Sequence, residues 1–123
     1  ANKIYINNNS KSYIELPLMN FVIGIQQISA EVPQQFNLGQ NYPNPFNPVT
    51  KIRFSVPNTG KNNFVKIAVY DVTGKLVTTL VDENFSAGSY EVDFNGSNYS
   101  TGVYFYRMTT NHFSEVKKMI LVK

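Results

Sequence analysis

Polar and apolar residues alternate strictly in Lys51-Ile52-Arg53-Phe54-Ser55-Val56, and the same two-residue rhythm returns along most of the chain. A period of two sends successive side chains to opposite faces of an extended strand. Ile52, Phe54 and Val56 therefore share one face, and Lys51, Arg53 and Ser55 share the other. Segments of this kind, rich in Val, Ile, Phe, Tyr and Thr, recur at intervals of about 8–12 residues and are divided by Gly, Asn, Asp or Pro. No segment has helical periodicity. A chain patterned this way is all-β, a sandwich or a barrel, because each half-buried strand face must pack against another sheet.

Residues 64–70 place Val65, Ile67 and Val69 together, and Asp71-Val72-Thr73-Gly74 separates them from a second extended run over residues 75–81. This predicts a hairpin: Asp opens a type I turn by accepting backbone bonds, and Gly74 supplies a left-handed conformation. Ala87-Gly88 opens a strand with Tyr90, Val92 and Phe94 inward and Ser89, Glu91 and Asp93 outward. Residues 102–108 are ring-rich, and Asn111-His112 turns them back into residues 113–122, so these two strands are predicted to pair. The unbroken apolar run Met119-Ile120-Leu121-Val122 predicts a closing strand covered on both faces. A well-formed strand ending at Lys123 also suggests that the C-terminus matters to function.

Apolar residues make up 42% of the 123-residue chain and aromatic residues 14%. That suits one sandwich-sized core, and the absence of cysteine leaves its stability to packing alone. The net charge of +3 comes from scattered residues rather than one dense basic face, so nucleic acid is not an expected partner. No apolar run approaches the roughly 20 residues needed to span a bilayer, so no membrane insertion is expected. His112 has no second ligand nearby, the acids are separated by turns and strands, and no serine lies in a nucleophile motif. No cofactor, metal or enzymatic activity is therefore expected.

The first 35 residues differ in character. Residues 3–6, 12–16 and 21–28 have strand composition, whereas 7–10 and Ser29-Ala30-Glu31-Val32-Pro33-Gln34-Gln35 have linker composition. Residues 1–35 are read as the tail of a preceding domain plus linker, and residues 36–123 as the sandwich. If the protein is exported, its signal peptide lies upstream of Ala1, and the chain then reads as the end of something longer.

One stretch is unusual. Between the linker and the first clear strand, Tyr42-Pro43-Asn44-Pro45-Phe46-Asn47-Pro48 holds three prolines that keep the preceding residues out of helix and fix a turning path. Phe36, Leu38, Tyr42 and Phe46 are its expected anchors to a core. Taken with Val69-Tyr70-Asp71-Val72-Thr73-Gly74, Ala87-Gly88-Ser89-Tyr90, residues 102–107 and Lys118-Met119-Ile120-Leu121-Val122-Lys123, the stretch resembles the type A C-terminal sorting domain of the type IX secretion system. Several motifs, in the family's order, span residues 36–123.

The resemblance implies an immunoglobulin-like antiparallel sandwich of about seven strands. It also implies a signal that passes a larger cargo from the periplasm of a Gram-negative bacterium across the outer membrane to the cell surface or medium. The implied partners are the upstream cargo domain, the type IX translocon and a sortase, which would cut within Ser29 to Gln35. The family's late motifs map translocon recognition onto Gly102, Tyr104, Arg107, Lys117, Lys118 and Lys123, and structural roles onto Pro43, Asn44, Pro45, Phe46, Gly74 and Gly88. Plainer readings stand beside these: the proline stretch as a rigid seal, Tyr104 and Tyr106 as core, and the lysines as guards against sheet aggregation. A weak homodimer formed by strand addition is a further expectation. The alternative function is a structural or carbohydrate-binding accessory module, with Tyr99 or Phe113 as ring platforms.

Overall fold

A computed structural model of the chain describes residues 25–29 and 32–123. The strand expectations at 3–6, 12–16 and 21–24 lie outside the described residues. The alternation resolves into eight strands: β1 (Ile25–Ser29), β2 (Asn37–Leu38), β3 (Val49–Val56), β4 (Asn63–Tyr70), β5 (Leu76–Phe85), β6 (Gly88–Asn95), β7 (Gly102–Thr109) and β8 (Ser114–Leu121). They form two four-stranded antiparallel sheets, ordered β1-β6-β3-β2 and β5-β4-β7-β8. The fold is the all-β sandwich that the sequence predicts, and none of the described elements is a helix long and apolar enough to cross a membrane.

The core lies where the inward phases of the two sheets meet. Ile52, Phe54, Val56, Val92 and Phe94 come from one sheet, and Val65, Ile67, Val69, Tyr106, Met108, Met119 and Leu121 from the other. Phe54, Phe85 and Tyr90 pack ring on ring, with centroids 4.7–5.5 Å apart. The predicted β4–β5 turn is present. The Gly74 N–H donates to the Asp71 carbonyl, and Gly74 has φ of 86°. Asp71 Oδ1 accepts from the Thr73 N–H, the Thr73 hydroxyl and the Lys75 N–H, bonds that hold its carboxyl below the ordinary carboxylate pKa, the hydroxyl bond most of all.

Two expectations are corrected. β8 is covered on one face only: Met119 and Leu121 point into the core and are buried, while Ile120, half-buried, and Val122, exposed, fall in the opposite phase. Tyr42 is not a core anchor, although Leu38 and Phe46 are buried and Phe36 stacks on Phe113. Its backbone bridges to Lys51, which sends the tyrosine to Lys51's outer face, 80% exposed.

Ile25–Ser29 is a strand of the sandwich, running antiparallel to β6 with Gln26 opposite Glu91 and Ser29 opposite Ser89. Part of the segment read as a cargo tail thus adds to the first sheet. Together with Arg53, it also explains why Glu91, outward as predicted, is only 7% exposed.

Candidate functional site

Residues 39–48, called the strap below, run from the edge of one sheet to the edge of the other. The strap begins beside β3, where the Gly39 N–H donates to the Arg53 carbonyl and Tyr42 exchanges two backbone bonds with Lys51. It then crosses to β8: the Phe46 N–H donates to the Ile120 carbonyl, and the Val122 N–H donates to the Phe46 carbonyl. Asn44 Oδ1 accepts from the Ile120 N–H at 3.0 Å, and Gln40 Nε2 donates to the Lys118 carbonyl at 2.8 Å. Phe46 itself is buried edge-on against Phe94, with ring centroids 5.8 Å apart.

A buried polar knot fixes the strap's near end. The Tyr106 hydroxyl donates to the Gly39 carbonyl and accepts from the Asn41 N–H, both at 2.7 Å. Asn41 Nδ2 reaches Thr50 Oγ1 and the Pro43 carbonyl, and the Thr50 hydroxyl donates to that same carbonyl. Burial pushes the Tyr106 phenol up to about 12. Asn41 and Thr50 were not among the sequence candidates. Thr50 nevertheless left a signal: it is a polar residue in the inward phase of β3, a position that demands a partner. Asn41 left none, because its burial follows from where the strap turns.

The sequence-predicted recognition residues separate into two groups. Tyr104 is buried at 8% exposure, its hydroxyl donating to the Ser100 carbonyl four residues upstream, so it belongs to the core as Tyr106 does. Gly102 opens β7 opposite Leu121. Lys123 Nζ donates to the Ser97 and Tyr99 carbonyls, and its N–H to Thr101 Oγ1, which ties the β6–β7 loop to the end of the hairpin. Lys117 leans on Glu115 at 3.3 Å. Of the six, only Arg107 and Lys118 are exposed with neither an ion pair nor a side-chain hydrogen bond among the described residues, and they point to the same outer face of the second sheet.

The structural-motif residues fall where strap and turns need them. Pro43, Asn44, Pro45 and Phe46 form the crossing, Gly74 the β4–β5 turn, and Gly88 the start of β6 opposite Val56. Gly96 also matters: a Cβ there would lie 2.9 Å from a Leu121 methyl and 3.4 Å from the Phe46 ring. In the linker, Ser29 ends β1, Ala30 and Glu31 lie outside the described residues, and Val32, Gln34 and Gln35 are exposed with Pro33 half-buried. Tyr99 and Phe113, the ring platforms of the accessory-module alternative, are half-buried and stacked on Phe94 and Phe36. His112 is exposed in the β7–β8 turn, and no metal-binding group of His, Cys, Asp and Glu occurs among the described residues.

The arrangement offers surfaces and a sealed edge, with chemistry suited to binding. The model of the secretion system C-terminal sorting domain family matches residues 40–123, from the strap through Lys123. No curated protein matches the chain. The chain belongs to the family of type IX secretion C-terminal sorting domains, which are sorting signals of secreted or cell-surface proteins and not a catalytic family.

Proposed function

We propose that the translocon reads this domain in its folded form, through the β7–β8 hairpin. Cargo lies upstream in the same chain, and a sortase cuts within Ser29 to Gln35 before the cargo is attached at the surface or released. The observation that supports this reading most directly is the separation within the hairpin. Tyr104 and Lys123 are built into the scaffold, while Arg107 and Lys118 stand exposed on one face. A signal assembled from two strands in register exists only when both are folded, so recognition doubles as a test of folding.

Strand addition at the closing residues is not the favoured mode, because the strap already takes the outward backbone groups of Lys118, Ile120 and Val122. A cut after Ser29 would also leave β1 with the cargo while still paired to β6, so release requires stripping that strand from the sheet.

The test fuses residues 1–123 behind a neutral reporter in a type IX-competent bacterium, beside a fusion lacking residues 119–123. The full chain is expected to export the reporter. The shortened chain, deprived of Met119 and Leu121 from its core, is expected to leave it in the periplasm. Equal behaviour of the two would sink the reading, as would N-terminal sequencing that placed the cut outside residues 29–35.

A further inference from the structure

The outer face of the second sheet carries an apolar surface that the fold does not cover. Inward positions of β4, β7 and β8 are taken by Val65, Ile67 and Val69, by Tyr104, Tyr106 and Met108, and by Met119 and Leu121. Register therefore sends the intervening residues outward in two rows: Leu76, Tyr70, Phe105 and Lys118 in one, and Ala68, Arg107 and Val116 in the next. Leu76 is 52% exposed, Val116 46%, and Val72 in the adjoining turn 67%. Tyr70, Val72, Phe105, Arg107 and Val116 line a shallow concavity of about 390 Å³, with Asp71 and Gly74 at its rim.

Counted over the whole face, cations outnumber acids: Arg107 lines the concavity and Lys118 stands beside it, opposite Phe105. Asp71 is the acid on its rim, and one carboxylate oxygen already accepts three bonds from its own turn. Arg107 and Lys118 have no acid within ion-pair distance among the described residues. Backbone pairing cannot dominate at the neighbouring edge, because the strap leaves open only the stretch of β8 near Ser114 and Val116. A second copy docked face to face would bring four cations, Arg107 and Lys118 from each, together with only two acids, the Asp71 pair, an excess of like charge that disfavours such a dimer.

The geometry points to this face as the docking surface for an acidic protein segment, one that lays an apolar side chain against Tyr70, Phe105 and Val116 and sets carboxylates on Arg107 and Lys118. The assignment rests on the sorting function for the identity of the partner, which is a component of the export machinery. Charge gives the encounter its direction, and the apolar floor supplies contact area.

The experiment uses the full chain fused to the same reporter. Arg107→Glu with Lys118→Glu is expected to cut export at least ten-fold, and Val116→Ser with Leu76→Ser several-fold, with thermal melting showing every variant folded. Arg107→Lys with Lys118→Arg keeps both charges and is expected to export within about two-fold of the parent. A matched control on the other sheet, Lys51→Asp with Asp93→Lys, exchanges one ion pair and is expected to export normally. Should the parent chain itself fail to export, the sorting function falls. Should the parent export and the folded double-Glu variant match it, the docking face falls while the sorting function stands. The assignment is equally overturned if the charge-keeping variant loses as much as the double-Glu variant. Sedimentation showing a dimer that the double-Glu change dissolves would overturn it too, by making the occupant a second copy.

Discussion

The two outer faces of the sandwich solve the same problem in opposite ways. On the first sheet three of the four outward residues of β3 meet a complementary one on β6: Lys51 faces Asp93 at 2.8 Å, Arg53 faces Glu91 at 3.1 Å, and Ser55 faces Ser89 at 3.4 Å, while Val49 stands exposed opposite Asn95 at the strand's end. Both cations on that ladder are already answered, and the Asp93 hydrogen bond raises the Lys51 pKa accordingly. On the second sheet, Phe105 faces Lys118 and Arg107 faces Val116, pairs that leave both members unanswered. Cross-strand complementarity makes a face self-sufficient, and its absence on the second sheet is the contrast on which the proposed docking surface rests.

The largest effect is expected where the two sheets are tied together. Phe46→Ala removes a buried ring from the strap and is predicted to cost about 3–5 kcal/mol in denaturant unfolding. If the loss were below about 1 kcal/mol, the strap would not be what holds the faces back to back. Tyr106→Phe strips the hydroxyl from between Gly39 and Asn41 and is predicted to cost about 1–3 kcal/mol. Because the folded phenol titrates near 12 and the unfolded one near 10, Tyr106 favours the fold fully below pH 10. That contribution, about 2–3 kcal/mol, is lost as pH rises through 12. A pH series of melts is therefore expected to fall more steeply between 10 and 12 for the parent than for Y106F.

The sharpest test of the comparison is charge reversal on each face. Arg53→Glu sets an acid opposite Glu91 and is predicted to destabilise by about 1–2 kcal/mol, less in high salt. Arg107→Glu, which breaks no pair, is predicted to stay within about 0.5 kcal/mol of the parent. Equal costs in chemical denaturation would erase the distinction between the faces. The smallest effect belongs to the β4–β5 turn. Asp71's depressed pKa means its bonds favour the fold above its ordinary value of 3.8 and are lost as pH falls beneath it. Asp71→Asn is expected to flatten that acid limb of the stability profile.

Much of this was legible in the alternation. The inward phases of β3, β4 and β6, the Asp71–Gly74 turn and the β7–β8 hairpin follow from residue periods and turn chemistry, both local properties. The misses share one cause. Whether Met119 to Val122 is covered on two faces, whether Tyr42 is an anchor, and why Glu91 is buried all depend on which strands lie side by side, and no single segment records that. The candidate site was legible as a set of motifs and not as a surface. Arg107 and Lys118 stood in the same row of candidates as Tyr104 and Lys123, and only the pairing of β7 with β8 separates scaffold from exposed face.

The strap has a further consequence in time. Asn44 and Gln40 find their partners 76 and 78 residues later in the chain. During synthesis these groups emerge from the ribosome long before Ile120 and Lys118 exist, and contacts so far apart in sequence are slow to close. A nascent or prematurely stopped polypeptide is thus left ajar along one flank, and only a finished copy latches shut.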